Sequence, residues 1–511
     1  MKQLTELVEL LGTDYKLCSC DTKQDEAVRT LFDYLQDTDT PKAEEAAQLF
    51  DLDPGEPAFR KLKHQLKLQL INALTEIQTA SRSDDRRKRT FAYVWKLIAI
   101  GKQLRTSVGS RVLLPFLQEA YRLADTDEMV DAAFQCATML RRQYVNRQFD
   151  REKYLHYAAE ADRYREISRC YQDVVTDFNR IVYLRNSRAH DREIRDVAVA
   201  SHARHSRAID RHDLAVISYI VYLIELNIYL VDRDYEGVIR VAERALDYLR
   251  MKPTAQPTMF QVFEANLTVA YTQLNDYERG TQFARRLLEK TNPSDFNYLK
   301  VYELLLILAL RAGRFQEAYE TYLSIRPDTL RRNMLSYYYE TFRIIEAYLY
   351  LLIGLQQIKP QAEDRTFQRF RISRFLNSFE HATQEKSSRN VHLLIIEIVD
   401  HVIHRRHHKS VYSIEAVGKY ATRHLKGKDY ERVRYFLKAL AQLSTQQFHR
   451  AAVERHTTRY IKSMQRIPLE ESRLDYFMEL IPYELLWGLI LDQLGYQRIR
   501  LRQTGKGNGN K

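Results

Sequence analysis

Between Leu267 and Ile325 the chain states one pattern twice, and any fold must accommodate both copies. Aligning Tyr277 with Phe315 places Leu267 over Leu305, Tyr271 over Ala309, Gly280 over Ala318 and Ala284 over Tyr322, with Gly313 in the turn of the second copy. Apolar residues three and four positions apart on either side of a short polar turn predict two amphipathic helices joined tightly. A small side chain three positions after the aromatic, Gly280 or Ala318, lets the second helix lie close against the first. An earlier copy is expected around Tyr229 and Tyr235-Glu236-Gly237-Val238, continuing through Ala242 and Ala245. Tyr235 precedes Tyr277 by 42 residues, and Tyr277 precedes Phe315 by 38. A further copy is expected at Lys428–Val433, ending near Leu440.

The rest of the chain is compatible with the same construction. Only 11 Pro and 15 Gly occur in 511 residues, so turn and strand breakers are scarce. Aromatic and aliphatic residues recur at helical spacing, as in Phe91, Val94, Trp95 and Ile98, then Val112, Leu113, Phe116 and Tyr121. No apolar run reaches the ~18 residues that cross a bilayer. The nearest, Ile217–Val231, contains Glu225 and Asn227 and reads as a buried helix, so no membrane insertion is expected. The N-terminal MKQLTELVELLG carries acidic residues and no small-residue cleavage site, unlike a signal peptide. Cys18, Cys20, Cys136 and Cys170 form no disulfide framework, and a cytoplasmic location is expected. The net charge of +12 favours an anionic partner over a cationic one.

The repeated pattern resembles the tetratricopeptide-repeat family, whose helix-turn-helix unit of about 34 residues has large, small and aromatic positions at fixed offsets. Tyr271 and Ala309 match the packing position late in the first helix. Gly280 and Ala318 match the small position early in the second, and Ala284 and Tyr322 the position one turn on. The spacing here is longer, the family's early Trp and Leu-Gly are mostly missing, and its closing Pro is absent or displaced to Pro327. The resemblance implies an all-α fold: a right-handed α-solenoid of stacked antiparallel helix pairs with a concave binding groove. It would occupy residues 90–500, clearest over 222–325, behind a small helical unit at 1–80 and before a disordered basic tail at 501–511. A charged break, Ser81–Arg89, separates the two helical parts.

Within residues 1–80, helices are expected at 2–11, 25–36, 41–50 and 57–78, with Thr40 capping the third and Pro41 at its first position. The last has an apolar stripe (Phe59, Leu62, Leu66, Leu70, Ala73) and a basic stripe (Arg60, Lys63, Lys67). The segment weakly resembles a helix-turn-helix DNA reader, in which the basic stripe would approach phosphates.

Four other stretches carry charge or potential ligands. Arg185, Arg188, Arg192 and Arg195 step by three, four and three, which on one helix is a continuous ridge able to clamp carboxylates or phosphates. Interspersed Asp191, Glu193 and Asp196 equally suit a solvated, self-paired face. In residues 363–380, Phe367, Phe370, Phe375 and Phe379 alternate with Arg369, Arg371 and Arg374, a pattern that serves either base stacking or, more commonly, a core with its cations outside. His401, His404 and His408 would share a helix face, but no hydrolase spacing is present and Arg405 and Arg406 adjoin them, so no metal site is expected. Pro482 predicts the start or a kink of a C-terminal helix around Trp487. No Walker loop, nucleophile elbow or kinase signature occurs, and no cofactor is expected. The sequence therefore predicts a non-enzymatic scaffold or adaptor that binds a protein or peptide, an acidic one if the arginine ridge takes part. The alternative is a DNA-binding regulator with a solenoid sensor.

Overall fold

The structure is a computed structural model. It describes residues 1–11, 23–38, 41–80, 86–104, 110–146, 149–187, 189–291, 296–325, 336–380, 387–425, 427, 430–469 and 478–495. Every regular element among these residues is a helix, and no strand occurs. The chain divides into two compact units, Met1–Thr176 with Arg207–Ser218, and Asp177–Ser206 with Tyr219–Lys511. The charged break after residue 80 lies within the first unit; its residues 81–85, like the tail from 496 onward, are outside the described residues.

In the first unit the N-terminal helices are Lys2–Leu11, Lys23–Asp37, Ala43–Gln48 and Pro57–Ala80. The apolar stripe of the last is buried as its spacing predicts. Phe59, Leu62, Leu66, Leu70 and Ala73 pack with Leu4, Val8, Val28, Leu31, Phe32 and Leu35. Fully burying one such side chain contributes about 1.5–3 kcal/mol, so this small cluster can hold its helices together. The third helix starts at Ala43, not Pro41. Lys42 stays extended at φ −101°. Its N–H donates to the Tyr34 hydroxyl at 3.3 Å, outside the helical ladder. Thr40 lies outside the described residues. Further along, the helices Ser110–Thr126 and Val130–Asn146 pair through Leu113, Leu117, Leu140 and Tyr144.

In the second unit, the three aromatics aligned in the sequence each open a helix: Tyr235–Arg250, Tyr277–Lys290 and Phe315–Ser324. Two residues before each of them the backbone turns left-handed, at Arg233 (φ 57°), Asn275 (φ 54°) and Gly313 (φ 70°). The turn is closed the same way each time. The Asp234, Asp276 and Arg314 N–H groups donate to the carbonyls of Tyr229, Tyr271 and Ala309, five residues back. Those of Arg233, Asn275 and Gly313 donate three residues back. This is the Schellman arrangement, which satisfies carbonyls that a helix end would leave bare. Tyr271 and Ala309 thus align because both supply the outer acceptor of that turn.

The same turn recurs where no repeat is legible in the sequence. Glu128 precedes the helix starting at Val130 in the first unit, and Arg405 precedes the one starting at His407 in the second. Three residues into these helices come Ala133 and Ser410, and seven residues in come Ala137 and Ile414, all buried like Gly280, Ala318, Ala284 and Tyr322. A methyl group on Gly280 would lie 2.8 Å from Leu308 Cδ1 and 3.3 Å from Tyr271 Cβ. The small position therefore admits the following helix, Phe296–Arg311, at least as closely as the preceding one. Leu267 is fully buried, and Leu305 and Tyr277 are half-buried. At the expected copy near Lys428–Val433, Tyr430 precedes a helix that starts at Glu431, and residues 428 and 429 are outside the described set.

A left-handed conformation costs a non-glycine residue about 1–2 kcal/mol. Arg233 is exposed. Arg233→Gly is accordingly expected to raise the unfolding free energy by about 1 kcal/mol, read from urea denaturation. A loss of stability would show that this turn is closed differently in solution.

From residue 299 to 494 the second unit has one continuous apolar core, which includes Phe342, Phe375, Phe436, Tyr483 and Trp487. Pro482 does begin the last helix, Tyr483–Gln493, as its N-cap. The helix Ala215–Asp232 is long and apolar enough to span a bilayer, but most of it is buried in the fold, as a core helix would be.

Candidate anion-binding surface

The arginines at 185–195 are not a ridge on one helix. One helix ends at Asn186 and the next begins at Asp191. His190 between them is extended, and its Nδ1 accepts the Arg192 N–H at 3.2 Å, a cap that breaks the helix without Gly or Pro. Arg185 donates from Nη1 to Asn227 Oδ1 at 2.8 Å. Although much of Arg185 is exposed, burial of its guanidinium lowers its pKa. Arg195 Nε lies 2.8 and 2.9 Å from the two Asp232 oxygens. Both side chains thus tie their helices to Ala215–Asp232. Arg192 is exposed and 4.0 Å from Asp196, and Arg188 lies outside the described residues.

The other sequence candidates separate in the same way. In the N-terminal stripe Arg60 is exposed. Lys63 Nζ sits 4.6 Å over the Phe59 ring, and Lys67 Nζ donates to Gln3 Oε1 at 3.2 Å. Phe367, Phe370, Phe375 and Phe379 are core, with Arg369, Arg371 and Arg374 outside. Arg371 is spent on the Gln368 and Phe370 carbonyls, at 3.1 and 2.9 Å. His401 lies in the last turn of one helix, which ends at Ile403, His404 sits in the Schellman turn after it, and His408 belongs to the next. They share no helix face because the chain turns at Arg405. Burial lowers the pKa of His401, and His404 Nδ1 contacts Asp400 Oδ1 at 3.1 Å. No grouping of metal-type ligands occurs among the described residues.

A single-helix cationic row does exist, on Arg450–Gln465 and its first turn beyond. Arg455, Arg459, Lys462 and Arg466 step by four, three and four, and all are exposed. The opposite face of this helix, Val453, Thr457 and Met464, is buried, which fixes the row outward. None of the four cations has a described carboxylate within ion-pair distance. Arg455 contacts its neighbour His456, at 3.4 Å. Arg459 donates to the Tyr460 hydroxyl and covers that ring, its guanidinium carbon 4.5 Å from the centroid. At 1.5 Å per residue the row is about 16 Å long. Its sequence signal is the spacing R-x3-R-x2-K-x3-R, diluted by Glu454, His456 and two threonines.

The C-terminal end of this helix is pinned from inside. Arg432, 2% exposed, has five N–H donors and five acceptors. Nη1 donates to the carbonyls of Met464, at 3.2 Å, and Ile467. Nε and Nη2 donate to Glu479 at 3.1 and 2.7 Å, and Nη2 also to Glu484 at 2.8 Å. Burial opposes the charge on Arg432, but the bonds and charges of Glu479 and Glu484 outweigh it and hold its pKa above the ordinary guanidinium value. The Glu479 carbonyl in turn accepts from Arg311 Nε at 3.0 Å.

No protein-family model, curated protein or solved structure matches this chain.

Proposed function

We propose that the chain is a non-enzymatic scaffold or adaptor, built as a tetratricopeptide-like solenoid, that holds an acidic protein partner in the cytoplasm. The observation that carries this reading is the row Arg455, Arg459, Lys462 and Arg466, four exposed cations along one helix and its C-cap with no carboxylate among the described residues paired to them. Several exposed arginines elsewhere are neutralised within the fold, as Arg163 is by Asp125 at 2.9 Å and Arg285 by Glu317 at 2.8 Å. Cations left bare at regular spacing on a well-packed helix suit an anionic partner supplied from outside. The recurring helix-pair turn supports the repeat reading of the scaffold.

The test is affinity capture by the full chain from its native cells, compared with the variant Arg455→Glu/Arg459→Glu/Lys462→Glu. Protein capture is expected to fall about tenfold or more in the variant and with rising salt, at unchanged helicity by circular dichroism. Equal capture by both proteins would remove this surface from the reading.

A further inference from the structure

Resting on that reading, we infer that the partner docks as an α-helix whose carboxylates recur at the same four-three-four spacing and lie along Arg450–Gln465 as one more helix of the stack. This fold joins neighbouring helices in just that way. Arg195 meets Asp232 at 2.8 Å, Arg244 meets Glu225 at 2.6 Å and Arg450 meets Asp492 at 3.0 Å, each across two helices of the second unit. Among the described residues, the outer face of Arg450–Gln465 has the cationic half of such a seam without an acidic half.

Spacing selects the ligand. Cations on a helix recur about every 5.4 Å turn, and another helix repeats its charges at the same interval. Duplex phosphates advance about 3.4 Å per nucleotide on each strand and wind away from a straight row. A single nucleic-acid strand would need open rings for its bases. Here the Tyr460 ring is covered by Arg459, and Phe367, Phe370, Phe375 and Phe379 are buried. The exposed residues between the cations are His456, Thr458 and Gln465, with no large apolar side chain to enter a lipid surface. An acidic helix satisfies the row without requiring anything else of it.

The experiment titrates the full chain against three fluorescent probes at low salt: an alanine-based helical peptide with glutamates at four-three-four spacing, a peptide of the same composition with its glutamates spread around the helix, and a short DNA duplex. The spaced peptide is expected to bind about tenfold more tightly than the spread one. That preference should vanish in Arg455→Glu/Arg459→Glu/Lys462→Glu, and shrink in the milder Arg455→Gln/Arg459→Gln should the reversal fail to fold. Equal binding of the two peptides overturns the helix inference and leaves the scaffold reading standing. Tighter binding of the duplex overturns the inference in favour of nucleic acid, and self-association of the chain that occludes the row overturns it in favour of a second copy. Equal capture by the chain and its variant in the preceding experiment would instead overturn the reading of this surface on which the inference rests.

Discussion

Arg432→Ala is expected to destabilise the protein by about 3–5 kcal/mol, the usual cost of leaving a buried ionic partner uncompensated. The deletion strands the Glu479 carboxylate, 2% exposed, with only the Tyr483 N–H at 2.8 Å still bonded to it. It also takes a donor from the Met464 carbonyl, which keeps the Ile467 N–H at 3.0 Å, and from the Ile467 carbonyl just past the end of the cationic helix. Arg432→Lys should recover only part of the loss, since an ammonium has three donors at one point where the guanidinium spreads five over two carboxylates and two carbonyls. Arg432→Met combined with Glu479→Gln should recover more than Arg432→Ala, because no full charge is then buried alone. Chemical denaturation of the three variants measures this ranking. An Arg432→Ala loss below about 1 kcal/mol, the scale of an exposed pair, would show that the cluster is hydrated and open in solution.

Asp364→Ala should cost about 3 kcal/mol. Asp364 Oδ1 caps the short helix Arg365–Gln368, accepting the N–H groups of Thr366 at 2.8 Å and Phe367 at 3.2 Å. Its Oδ2 accepts the buried Tyr319 hydroxyl at 2.8 Å, and that hydroxyl accepts the Gln361 N–H at 2.9 Å. Alanine removes a cap worth about 1 kcal/mol and leaves buried donors unsatisfied at about 1–3 kcal/mol. Asp364→Asn keeps an acceptor and should lose about 1 kcal/mol. Trypsin should cut faster after the exposed Arg365 and Arg369 in the alanine variant. Unchanged cleavage and stability together would mean that Phe367 and Phe370, not this carboxylate, hold the segment in place.

Much of the helical construction is legible in the amino acids. The offsets around Tyr277 and Phe315 are real structural equivalences, and the apolar stripe from Phe59 to Ala73 is buried as read. The repeat fades elsewhere because its key turn position is a backbone conformation that several residue types fill. Glycine marks it at Gly313 and asparagine at Asn275, but Glu128, Arg233 and Arg405 occupy it too, and none of these three announces a left-handed residue in a sequence. The same blindness hides the break between the arginines. Ser187, Ala189 and His190 contain no breaker, so Arg185 through Arg195 read as one helix when a histidine cap divides them. The row from Arg455 to Arg466 is inconspicuous in the sequence because its composition is that of an ordinary solvated face. Only the pairing of other arginines across helices makes its bare state informative.

Those pairings also bear on how the chain finds its native order. An oily helix face would accept almost any neighbour of suitable width. A link such as Arg195 to Asp232 or Arg244 to Glu225 recognises one neighbour and sets a like charge against many wrong ones. Exposed pairs of this kind add little to overall stability. Their larger effect is to penalise misassembly, so that helices of similar composition are not exchanged during folding.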